Sequence, residues 1–178
     1  MTSPSSIGQL CPNCGLCCDS TLFADVELRA GDDARRLARL GLAVRPKTKS
    51  KRAFPQSCAC FNGKLCTIYS ERPKRCRLFE CGLLKRVAAG NLAAGVALKK
   101  IARARALAEK VRTLLRQSGQ HDETMALTHR YAAVMSAPID FSEEQSADRR
   151  GELMMAVSDL MQLLERDFLR LPPAGGGR

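Results

Sequence analysis

Apolar positions follow two different rhythms along the chain. From Thr21 to Leu28 apolar and polar residues roughly alternate, with Leu22, Val26 and Leu28 set among Asp25 and Glu27, which predicts a short strand. Gly31, Asp32 and Asp33 then put acidic residues where a helix dipole is positive, and ARRLARLGL predicts a short helix that stops at Gly41. Asn62-Gly63 is a tight-turn dipeptide between CACF and LCTIY, which predicts two paired strands. Pro73 suits the first turn of a helix starting between residues 70 and 73, with Cys76 early in it.

Beyond Cys81 the rhythm becomes helical. Ala97, Ile101, Ala104, Ala108, Val111 and Leu115 share one face, flanked by Lys99, Arg103 and Lys110 on one side and by Arg105, Arg112 and Arg116 on the other. Leu127, Tyr131, Val134 and Met135 mark a second helix ending before Pro138. A third starts at Ser142, where S-E-E-Q reads as a capping box, and carries Leu153, Val157, Leu160, Met161, Leu164 and Phe168 on one stripe. Met154, Met155 and Met161 are expected in or near the core. The fold class read from these patterns is mainly α: an irregular cysteine-rich half with a short β-hairpin, packed against three or four C-terminal helices. Residues 1–9 read as a flexible lead-in, 10–82 as a cysteine-cluster metal-binding region, 83–170 as a helical region and 171–178 as a disordered tail.

Length and composition narrow this picture. At 178 residues and 45% hydrophobic content, the chain suits one globular domain or a domain with an appendage. A membrane helix needs about 18 or more consecutive apolar residues, and the nearest candidate, Leu92 to Ala108, is broken by Lys99, Lys100, Arg103 and Arg105. The opening MTSPSSIGQL has neither a basic start nor an apolar stretch, so it does not read as a secretory signal and the cytoplasm is the expected compartment.

Charge adds a question. The net charge is +11, yet residues 81–118 hold a balance of +8 and residues 119–178 one of −4. Arg45, Lys47, Lys49, Lys51 and Arg52 make a second basic zone. Such stripes suit an acidic protein or nucleic acid as partner, while a solvated surface accounts for them without one; two Tyr, six Phe and no Trp leave little for base stacking.

All nine cysteines lie within the first 81 residues. In a reducing compartment such a cluster points to metal or redox chemistry rather than disulfides. Cys11, Cys14, Cys17 and Cys18 fall within eight residues, and the x2 spacing lets a turn aim two sulfurs at one centre. The adjacent Cys17 and Cys18 point apart in most backbone conformations, so they serve different centres or only one is a ligand. The triplet resembles the opening of a bacterial ferredoxin motif but lacks its fourth cysteine and proline, and the second C-x2-C of a zinc ribbon is absent. Arg72, Arg75 and Arg77, with a helix start beside Cys76, favour a thiolate there.

CPNCGLCC followed by CACFNGKLCTIYSERPKRCRLFEC resembles the YkgJ-type CxxCxxCC cysteine-cluster family, whose members are described as zinc- or iron-chelating. The resemblance spans residues 11–81. It implies Cys11, Cys14, Cys17, Cys18, Cys58, Cys66, Cys76 and Cys81 as metal ligands, with Ile68, Tyr69, Arg72, Pro73, Arg77 and Phe79 as framework. Cys60 is extra to the pattern and reads as a small buried residue. Of the framework, Arg72 and Arg77 are expected behind the ligands, hydrogen-bonding thiolates or carbonyls, and Tyr69 and Phe79 as packing around the site. A related cluster in flagellin lysine methylases resembles an iron–sulfur module, which implies a role in protein modification as an alternative. Eight thiolates suit two tetrahedral zinc ions, a shared-ligand zinc cluster, or a 4Fe–4S cluster with four cysteines to spare, so zinc and iron–sulfur both stay open. His121 and His129 lie outside the cysteine half and read as surface residues. No nucleotide-binding loop, Ser-His-Asp arrangement or paired catalytic carboxylates stand out.

Overall fold

The computed structural model describes residues 10–138 and 146–170. The lead-in at 1–9, the capping box at Ser142 and the tail at 171–178 lie outside the described residues.

The protein is mainly α. In the cysteine half, α1 (Leu10–Cys14) precedes β1 (Asp25–Glu27), α2 (Ala34–Arg39), β2 (Arg45–Pro46), β3 (Arg52–Pro55), a 3-10 turn (Tyr69–Glu71) and α3 (Lys74–Leu78). Then come α4 (Gly82–Ala88), α5 (Ala94–Gln117), α6 (Leu127–Ser136) and α7 (Ser146–Leu164), which runs into a π turn at Glu165–Leu169.

The long helix α5 buries the face its periodicity marks: Ala97, Ile101, Ala104, Ala108, Val111 and Leu115. Alanines along that stripe let α7 approach closely, and α7 answers with Leu153, Ala156, Leu160, Leu163 and Leu164. Burial of such side chains contributes about 1.5–3 kcal/mol for each large one. The methionine expectation fails. Met154, Met155 and Met161 are exposed, Met155 by 72%, because the buried stripe runs through Leu153, Ala156 and Leu163 and turns the methionines outward.

The cysteine half has its own small core of Val26, Leu37, Leu42, Phe54, Cys58 and Cys60. Three antiparallel strands in the order β1-β3-β2 cover it, with Val26 opposite Phe54 and Arg45 opposite Ala53. The predicted strand is realised over Asp25–Glu27, and α2 is capped by Asp33, whose carboxylate accepts the Arg36 N–H at 2.9 Å.

The hairpin sits elsewhere than predicted. The turn at Asn62-Gly63 exists, with Gly63 at φ +88° and the Asn62 side chain accepting the Lys64 and Leu65 N–H groups. Its flanks pair only through a bridge between Phe61 and Cys66. The Phe61 N–H folds back onto the Cys58 carbonyl at 2.9 Å, so CACF is a turn and not a strand. The hairpin is instead β2–β3, within the basic zone at 45–52. There Lys47 pairs with Asp25 and Glu27, and Lys51 with Glu27.

The two halves are packed together at the chain's start. Leu10 and Leu16 belong to the helical core. From α5, Arg105 donates to the Asn13 carbonyl at 3.1 Å, and Arg112 binds the Asp19 carboxylate and the Thr21 hydroxyl, each at 3.0 Å.

Candidate metal centre

Between the helical layer and the sheet lies a cavity of about 570 Å³, and Cys11, Cys14, Cys17, Cys18, Cys58, Cys66, Cys76 and Cys81 all line it. Leu83, Ile101 and Phe168 close it on the helical side, and Val26, Leu42 and Phe54 on the sheet side. Cys60 does not line it. That thiol is 3% exposed and donates to the Leu40 carbonyl at 3.4 Å.

Local structure explains how each thiol arrives. Cys11 and Cys14 stand three residues apart on α1, and therefore on one side of it. Gly15 ends the helix at φ +70°, and a Cβ there would lie 2.6 Å from the Phe61 ring, so only glycine fits. The Cys18 N–H closes onto the Gly15 carbonyl at 2.8 Å, and the Cys18 carbonyl accepts the Cys58 N–H at 2.8 Å. The Asn62-Gly63 turn delivers Cys66, and α3 carries Cys76. Cys81 is the N-cap of α4, its sulfur accepting the Leu84 N–H at 3.4 Å.

These thiols are costly to ionise by themselves. Burial pushes Cys14, Cys18 and Cys58 up to about 12 and Cys76 up to about 11, and neighbouring thiols add to the rise at each. Cys17 is raised well above its ordinary value, by burial first and then by Cys14, Cys18, Cys81 and Cys11. Arg72 favours the Cys76 thiolate, but burial outweighs it. A bound cation reverses the balance, because it favours the thiolate far more than a surface guanidinium does. Eight soft donors facing one cavity fit zinc or an iron–sulfur cluster. Among the described residues no three His, Cys, Asp or Glu side chains are already gathered around one point.

Arg72 donates from Nε to the Tyr69 carbonyl at 2.8 Å and stacks 3.6 Å above the Tyr69 ring. Its charge also lowers Cys11 and Cys76. Arg77 lines the cavity from an exposed position. Phe79 packs edge-on against Phe23 at 5.0 Å. Tyr69 is 45% exposed, so it forms part of the cavity mouth rather than a packed wall. His121 and His129 are both exposed and away from this cavity. Sequence reasoning missed Gln56, which is buried on the cavity wall with its Oε1 unpartnered. Nothing in a single polar residue after Pro55 signals that.

Five of the nine basic residues in 81–118 pair with carboxylates among the described residues. Arg86 and Lys100 bind the buried Asp167, Lys110 binds Glu152, Arg112 binds Asp19, and Arg116 binds Glu109 and Glu123. The opposite charges of 81–118 and 119–178 thus meet across helix contacts. Among the described residues no helix is long and apolar enough to cross a membrane.

A cysteine-lined cavity lies between a helical layer and a small sheet. The family model CxxCxxCC, described as "Putative zinc- or iron-chelating domain", matches residues 10–94. Searches of curated proteins and of solved structures find no match.

Proposed function

We propose that the protein holds zinc or an iron–sulfur centre through Cys11, Cys14, Cys17, Cys18, Cys58, Cys66, Cys76 and Cys81, and that it does so in the reducing cytoplasm. One observation carries the reading: eight of nine cysteines line a single cavity, and the ninth, extra to the family pattern, is buried in the sheet core. All nine are free thiols. Arg72 and Tyr69 support the site from its mouth, where the guanidinium offsets thiolate charge. The test is metal and sulfide analysis of protein purified without oxygen, with its absorbance spectrum. A broad visible shoulder with iron and sulfide assigns iron–sulfur, and a colourless sample with stoichiometric zinc assigns zinc. A sample holding neither overturns the proposal.

A further inference from the structure

We infer that the cavity holds two separate centres, one bound by Cys11, Cys14, Cys17 and Cys81 and the other by Cys18, Cys58, Cys66 and Cys76. This rests on the chelating role proposed above and adds its internal division. The dividing line is the peptide bond between Cys17 and Cys18.

Packing supports the division first. Cys14 and Cys81 lie against the helical core, whereas Cys18, Cys58 and Cys76 lie against the sheet core. The remaining members follow their backbone. Cys11 shares α1 with Cys14, and Cys66 is bridged to Phe61, itself packed on the sheet core. The Cys58 N–H bond to the Cys18 carbonyl fastens those two residues to each other. Adjacent residues direct their side chains differently, so Cys17 and Cys18 serve two centres with less backbone strain than one. Cys17 adjoins Leu16, which is buried in the helical core, whereas Cys18 packs against the sheet core.

Chemistry then fits the count. Four thiolates complete a tetrahedral zinc or one iron–sulfur cluster, so neither centre needs a bridging sulfur. Four thiolates with one divalent ion carry a charge of about −2, and two such anions side by side repel. Arg72, a cation that lines the cavity with Cys11 of one set and Cys76 of the other, offsets that repulsion.

The experiment measures metal per chain, on the full chain purified without oxygen, for the wild type and three double variants. Cys14→Ser with Cys81→Ser, and Cys66→Ser with Cys76→Ser, should each lose one centre and keep the other. Where both centres hold the same metal, each keeps half of the wild-type content. Cys14→Ser with Cys66→Ser should lose both. Three doubles with equal residual metal overturn the division but leave chelation standing; a wild type without metal overturns chelation, and the division with it. Should the serine variants fail to fold, the wild type with its metal exchanged for cadmium gives a second readout by cadmium NMR. Two uncoupled thiolate resonances support two centres, and coupling between them, which requires a shared sulfur, overturns the inference.

Discussion

Asp167 offers the sharpest test of how the helical layer is held beneath the cavity. Its carboxylate is 1% exposed and accepts from Lys100 at 2.8 Å, Arg86 at 3.0 Å and Arg166 at 3.1 Å. Arg86 lies on α4, the helix that Cys81 caps, and Lys100 on α5, so one carboxylate ties the C-terminal turn to both. Asp167→Asn keeps the shape and removes the charge, leaving two cations whose side chains are each 27% exposed without their counterion. Removing one partner of a fully buried pair costs about 3–5 kcal/mol. Here the cations regain some water, which reduces the expectation to about 2–3 kcal/mol. The acid side gives an independent figure. Burial opposes the charge of Asp167, but hydrogen bonds from Lys100, Arg86 and Arg166 outweigh it and hold its carboxyl down to about 2. Against an ordinary carboxyl near 3.8, that depression is worth about 2 kcal/mol. Because the folded value lies below the unfolded one, this stability is present above about pH 4 and is lost as pH falls toward 2. Urea unfolding followed by helical circular dichroism, for both proteins across that range, checks it. The wild type should exceed the variant by about 2–3 kcal/mol at pH 7, and the gap should close toward pH 2. A gap under about 0.5 kcal/mol at pH 7, or one that does not change with pH, would refute the argument.

Further outcomes concern the metal. Gly15→Ala forces a side chain into the left-handed region, at about 1–2 kcal/mol, and into the Phe61 ring, so the variant should surrender its metal to a competing chelator faster than the wild type. Cys76→Ser should lower metal per chain, while Cys60→Ser should leave it unchanged, since a hydroxyl can still donate to the Leu40 carbonyl; equal loss in both would contradict the cavity assignment. Chelation of the metal should lower the thermal midpoint, measured by circular dichroism, because the cavity thiols lose the ion that binds them together. The metal should also leave on acidification, since protons compete for sulfurs that burial and neighbouring thiols push up to about 12, and metal retained to low pH would count against thiolate ligation.

Much of the helical half was legible in one dimension. The stripe on α5 repeats with the helical period, and a residue's face on a helix depends only on its neighbours in sequence. Cysteine spacing and the family pattern likewise picked out the eight thiols that share the cavity and set Cys60 apart. The Met154, Met155 and Met161 positions were misread because the apolar stripe of α7 admits two phases, and contact with α5 chose the one through Leu153, Ala156 and Leu163. The hairpin was misplaced because a turn dipeptide specifies a reversal but not the strands beside it. Cys58 and Phe61 closed a turn of their own, and Lys47 and Lys51 found carboxylates on β1.

What the sequence by itself determined, then, are the properties carried by short spans: the helices, the acidic start before α2 and the clustering of soft thiol donors. Tertiary structure alone decided which distant groups meet. Arg86 and Asp167 are 81 positions apart, and Cys81 lines the same cavity as Cys18. The physical reason is that burial and Coulomb interaction depend on distance in space, so a basic segment and an arginine beside a cysteine acquire their meaning only once packing fixes what surrounds them.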